Sequence, residues 1–156
     1  MSDVAGFDET YQRLIRLISI RERSSRELHD RLIKENYPAG HVSEALERAR
    51  YYNIVNDLRF AEALTRTRIH AGKGLAGIVH ELSEHDIDVS EIAGWPHVWL
   101  YDEEYDEEKA AYQTLEHRPP RSKNLREGAY RRLIQKGISS AIASTVSRQW
   151  MEAHAR

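Results

Sequence analysis

Leu28-His29-Asp30-Arg31-Leu32-Ile33-Lys34-Glu35-Asn36-Tyr37 is the stretch that decides how the rest of this chain is read. Its apolar positions 28, 32 and 37 recur as Ile78, Leu82 and Ile87, and again as Ala129, Leu133 and Ile138, at offsets of 50 and then 51 residues. Upstream, Leu14, Leu64 and Leu115 keep the same register. Because 40% of the chain is hydrophobic, one matched column would mean little, but four columns in order across three copies mark an internal repeat. In each copy the residue before the last column is Asn36, Asp86 or Gly137, types that suit a helix terminus or tight turn.

Working outward, Tyr11, Leu14, Ile15 and Ile18 fall on one helical face, with Arg13 and Arg16 off it. Ser24 or Ser25 offers an N-cap to a second helix holding Leu28, Leu32 and Ile33; Pro38 ends it. A third helix carries Val42, Ala45, Leu46 and Ala49. Copy two starts at Asn56 or Asp57, with Phe60, Ala61 and Leu64 inward, and breaks at Gly72 and Gly74. It resumes with Leu75, Ile78, Val79 and Leu82. Its third helix, from Val89 and Ile92, meets Gly94 and Pro96 and should be short or kinked. Copy three has Ala111 and Leu115, a break at Pro119 and Pro120, then Leu125, Ala129, Leu133 and Ile134, and finally Ile142, Val146 and Trp150. No segment alternates with period two long enough to read as a strand. The expected fold is all-α: three tandem three-helix repeats, at 8–54, 55–100 and 102–154, in an elongated, curved array. A unit of about 45 residues is near the lower limit for folding alone, so neighbouring copies should share or abut cores.

Composition narrows the functional classes. Cysteine is absent, which removes disulfides, thiolate nucleophiles and cysteine-based metal sites. Residues 1–10 lack the basic start and apolar run of a signal peptide, and no stretch is long enough to span a bilayer, so the expected location is cytoplasmic. The formal charge of −2 hides an uneven distribution: residues 1–56 balance, 57–80 sum to +2, 81–108 to −11 and 109–156 to +7. A basic C-terminal third beside an acidic middle points to a polyanion or a charged protein surface as partner.

Several apparent chemical motifs fail on their context. Gly72-Lys73-Gly74-Leu75-Ala76-Gly77 has the glycine spacing of a dinucleotide loop, but a helix precedes it where a strand is required; a helix-joining loop with Lys73 exposed is the plainer reading. His80 and His85 are five apart, too far round a helix to share a zinc ion. The run Asp102, Glu103, Glu104, Asp106, Glu107, Glu108 lacks the alternation and central glycine of a calcium loop and instead suits a helix N-terminus. Trp95, Trp99, Tyr101 and Tyr105 beside it either pack between copies or form a partner platform. No catalytic residue, cofactor or metal ligand is expected. The candidate partner-contacting residues are cations. Arg132 and Lys136 are four apart with Arg131 beside them, Arg121, Lys123 and Arg126 lie upstream, and Arg66, Arg68 and Lys73 sit in copy two.

These residues together resemble the RecX family of RecA regulators over nearly the whole chain. The resemblance rests on Ser25-Arg26-Glu27-Leu28 with Leu32; on Asp57, Arg59, Phe60 and Ala61; on Arg66 and Arg68; on the glycine turn; and on Ile78 with Glu81 and Leu82. Gly94 and Pro96 interrupt copy two and depart from the family pattern. The resemblance implies a monomer that binds RecA recombinase and the RecA–DNA filament, restraining filament growth, ATP hydrolysis and strand exchange in DNA repair and the SOS response, with non-specific contact to single- or double-stranded DNA. The signature residues Arg26, Glu27, Leu28, Asp57, Arg59, Phe60 and Ala61 fit caps, ion pairs and core at helix starts, with direct binding as the other reading. The rival functions are a helical-repeat DNA-binding protein and an adaptor for a partner other than RecA.

Overall fold

The structure, a computed structural model, describes residues 6–155; residues 1–5, half of the N-terminal stretch that reads as lacking a leader, lie outside the described residues, as does Arg156. Among the described residues there are eight α-helices and no strand: α1 (Phe7–Ile20), α2 (Ser25–Lys34), α3 (Ala39–Tyr51), α4 (Asp57–His70), α5 (Leu75–Glu84), α6 (Glu107–His117), α7 (Leu125–Gln135) and α8 (Ser140–His154). The fold is all-α and made of tandem helical repeats. Leu14, Leu28, Leu32, Ile78, Leu82, Leu115, Ala129 and Leu133 are all buried, as the repeat register requires. The turn residues Asn36, Asp86 and Gly137 all adopt positive φ, at 68°, 59° and 85°. After α2 and α7 the backbone closes identically. The N–H groups of Tyr37 and Ile138 reach the carbonyls of Leu32 and Leu133, and those of Asn36 and Gly137 reach Ile33 and Ile134. This double bond pattern satisfies carbonyls that a helix end otherwise leaves open, and it needs a left-handed residue at its centre.

The chain forms two compact units, Met1–Ala63 with Glu84–Ile87, and Leu64–Ser83 with Asp88–Arg156. In the first unit, Leu14 and Leu17 of α1, Leu28 and Leu32 of α2, and Val42, Ala45, Leu46 and Ala49 of α3 make one core with Val55, and Tyr11, Ile15 and Tyr37 cover its edge. The serine choice resolves to Ser24, whose hydroxyl accepts the Glu27 N–H at 3.0 Å. Asn56 caps α4, accepting the Arg59 N–H at 3.0 Å.

In the second unit, α6, α7 and α8 bury Ala111, Leu115, Ala129, Leu133, Ile138, Ala143, Val146 and Trp150 together. Asp106 caps α6, so the acidic run splits: Glu107 and Glu108 begin the helix and Asp102–Glu104 precede it. The third element of copy two is reduced to two single 3-10 turns, Val89–Glu91 and His97–Trp99, separated by Gly94 at φ 75° and by Pro96. A positive φ followed by a proline lacking its N–H leaves no run of donors for a continuous helix.

Candidate anion and partner interface

The site is built where α5 begins. A helix start leaves backbone N–H groups without intrahelical acceptors, and here they are met by copy three. Gly74 N–H donates to the Lys136 carbonyl at 2.7 Å, Gly77 N–H to the Gly137 carbonyl at 2.8 Å, and Leu75 N–H to Glu107 Oε1 at 2.9 Å. Donors at the positive end of α5 therefore face carbonyls at the negative end of α7, a favourable dipole arrangement that the Glu107 carboxylate reinforces. Contact this close requires glycine. A Cβ on Gly74 would lie 2.4 Å from the Gly137 oxygen, and one on Gly77 would lie 3.0 Å from the Gly137 Cα. The dinucleotide-like glycine spacing is thus a docking device between two helix ends.

That junction gathers basic side chains. His70, Lys73, His117, Arg118, Arg132 and Lys136 line a groove of about 460 Å³ beside it, with Thr114 and Gln135 contributing polar groups. Arg132 donates to the Arg118 carbonyl at the open end of α6, which fixes its guanidinium at the groove wall. Arg132 and Gln135 also line a smaller recess with Arg121 and Arg131, so the basic surface continues along α7. Arg131 pairs with Glu127 at 2.6 Å one turn away, an exposed contact of small energetic weight. A concave strip of unlike-sourced cations with backbone and amide donors between them is suited to phosphate oxygens or to an acidic protein surface.

Of the nine cations singled out in the sequence, Lys73, Arg132 and Lys136 share the groove and Arg121 and Arg131 extend it. Lys123 is exposed, and Arg126 reaches Ser144 at 3.3 Å. Arg66 and Arg68 are engaged within the protein. Arg66 donates to the Trp99 carbonyl at 2.7 Å and lies over the Tyr101 ring at 4.5 Å. Arg68 makes a two-point pair with Glu81 at 2.9 and 2.7 Å, and that hydrogen bonding raises its pKa further. His70, His117 and Arg118 were not singled out. Arg118 and His117 sit at the end of α6 next to two prolines, where sequence gives no sign that they line one groove with Lys73.

The signature residues make local contacts in the first unit. Asp57 Oδ1 accepts the Ser25 N–H at 2.7 Å and so completes the start of α2 from α4. Arg59 bridges Glu22 at 2.9 Å and the carbonyls of Asn53 and Ile54 at 3.0 and 2.8 Å. Arg26 pairs with Asp30 and Asp86, both at 2.9 Å, and Glu27 takes Arg21 and Arg23. Leu28, Phe60 and Ala61 are buried, and the Phe60 ring meets His85 at 4.6 Å.

Comparison with known proteins agrees with this architecture. Family models described as the first and second three-helix domains of RecX match residues 11–48 and 56–93. The chain is 31% identical over 144 residues to the regulatory protein RecX of Oceanobacillus iheyensis, covering 90% of this chain and 53% of that one. It is 30% identical over 141 residues to that of Listeria monocytogenes, covering 85% and 51%. The chain thus spans about half the length of these curated relatives. The crystal structure of RecX from Lactobacillus salivarius has the same fold, with a TM-score of 0.69 at 21% identity over 92% of this chain and 96% of that one.

Proposed function

The chain belongs to the RecX family, and from that premise we propose that it regulates RecA recombinase by binding RecA and the RecA–DNA filament, without catalysing a reaction. It acts mainly as an inhibitor, restraining filament extension and with it ATP hydrolysis and strand exchange in DNA repair. The observation that supports this most is the groove at the α5–α7 junction, which joins Lys73 of copy two to Arg118, Arg132 and Lys136 of copy three. Such a strip would lie along a phosphate backbone or an acidic recombinase surface, and several weak contacts made together by one chain give useful affinity. The protein works as a monomer in the cytoplasm, where RecA filaments form. The test is a RecA strand-exchange assay, paired with a filament-disassembly assay, with and without the purified protein. Slower exchange and faster filament loss are expected; no effect on either, across a stoichiometric range, would overturn the reading.

A further inference from the structure

The second unit also contains a recess of opposite character. Where copy two lacks its third α-helix, residues 99–105 run beside α4 and leave an open apolar groove of about 510 Å³, floored by Ile69, Trp99, Leu100, Tyr101 and Tyr105. Tyr101 is 89% exposed, an unusual position for a large ring beside other apolar side chains. The rim is acidic. Residues 81–108 contain no lysine or arginine, and Asp102, Glu103, Glu104 and Glu108 have no ion-pair partner among the described residues. Beside His70 at this groove, Arg66 holds its guanidinium 4.5 Å from the Tyr101 ring centroid, so that ring already accepts a cation on its face.

We propose that this groove docks a lysine- and arginine-bearing peptide segment of a partner protein, with one apolar side chain of the segment seated against Trp99 and Tyr101 and its cations facing Asp102 and the exposed Glu103 and Glu104 that follow it. Charge and shape both select that occupant. An acidic segment or nucleic acid would meet like charge at Asp102 and the glutamates after it, and a purely polar segment would leave the aromatic floor wet. The volume of about 510 Å³ is within the range of clefts that take a small organic ligand, and so leaves room for one large side chain. The proposal stands independently of RecA, so its failure would leave the RecX reading untouched.

The probe is a short fluorescent synthetic peptide of lysines and arginines around one phenylalanine, titrated into the full chain and read by anisotropy. Binding should weaken about ten-fold when the peptide's phenylalanine becomes serine, and about as much in the Tyr101→Ser protein or in Glu103→Gln with Glu104→Gln. Tyr101 and the two glutamates are exposed, so these variants should keep the helical circular dichroism of the parent; if Tyr101→Ser does not, the glutamine pair decides. Equal binding by the serine peptide, unchanged binding by the protein variants, or no binding at all would each refute the proposal. So would a self-associated unliganded chain that dissociates on Tyr101→Ser, because the occupant would then be a second copy.

Discussion

Replacing Gly74 with alanine tests the junction on which the basic groove is built. The new Cβ would sit 2.4 Å from the Gly137 oxygen and 2.5 Å from the Gly137 carbon and the Ile138 nitrogen, all of them backbone atoms that no rotamer change can move. Relief requires the two helix ends to part by about 1 Å to reach an ordinary contact of about 3.4 Å, and that lengthens the 2.7 and 2.8 Å bonds from Gly74 and Gly77 beyond useful range. Overpacking costs about 1–3 kcal/mol and each lost hydrogen bond about 1, while alanine's lower backbone entropy returns at most about 1. A net loss of about 2–4 kcal/mol follows, and at about 2–4 °C per kcal/mol for a chain of this size the midpoint should fall by roughly 5–15 °C. Gly40 is the control. It lies in the first turn of α3 with no heavy atom within 4 Å of an added Cβ, so Gly40→Ala should be neutral or stabilising by up to about 1 kcal/mol. Thermal and urea unfolding followed by circular dichroism reads both. A Gly74→Ala protein as stable as the parent, or a Gly40→Ala protein equally weakened, would refute the close-approach reasoning.

Three further outcomes follow from local geometry. Asp57→Ala should lose about 1–2 kcal/mol in urea unfolding, because the Ser25 N–H loses its 2.7 Å acceptor, whereas Asp57→Asn should keep most of the stability. The Glu35 carboxyl is held below its ordinary pKa, chiefly by hydrogen bonding from Arg13 and then from Arg31, so its stabilisation is full above the usual glutamate range and fades as pH falls below it. Glu35→Gln should therefore be slightly less stable than the parent near neutrality, with the gap closing in acid; a gap that persists or widens there would contradict the ion pair. Burial, with the nearby Glu107 and Asp106 charges, raises the Tyr105 hydroxyl to about 12, so one tyrosine should ionise late in an alkaline absorbance titration and vanish from it in Tyr105→Phe. Its contribution to stability is complete below the ordinary tyrosine value of about 10 and is lost as pH climbs towards 12.

The helical repeat was legible because burial leaves a periodic trace. Leu32, Leu82 and Leu133 must each face a core five residues before an apolar turn residue, and Asn36, Asp86 and Gly137 are among the few types that tolerate the positive φ between them. The caps were legible to within one residue, since Ser24 and Asn56 act through side chains that adjacent residues could equally have supplied. What replaces the third helix of copy two was only half legible. Gly94 and Pro96 announce an interruption, but which short turns form around it depends on packing that includes the Trp95 indole donating to the buried Thr65 hydroxyl at 3.1 Å. The groove was least legible. Lys73 and Lys136 are brought together by hydrogen bonds between two helix ends distant in sequence, and Arg66 and Arg68, which look alike on a helix face, turn out to serve Trp99 and Glu81.

The most direct test of the account is the affinity of the full chain for RecA filaments on single-stranded DNA, measured across a salt series for the parent and for Lys73→Gln, Arg132→Gln, Lys136→Gln combined. If the groove meets phosphates, neutralising three cations should lower affinity at least ten-fold and flatten the log–log salt slope by about 2, at roughly 0.7 per single-strand phosphate contact. An unchanged affinity with an unchanged slope would contradict it.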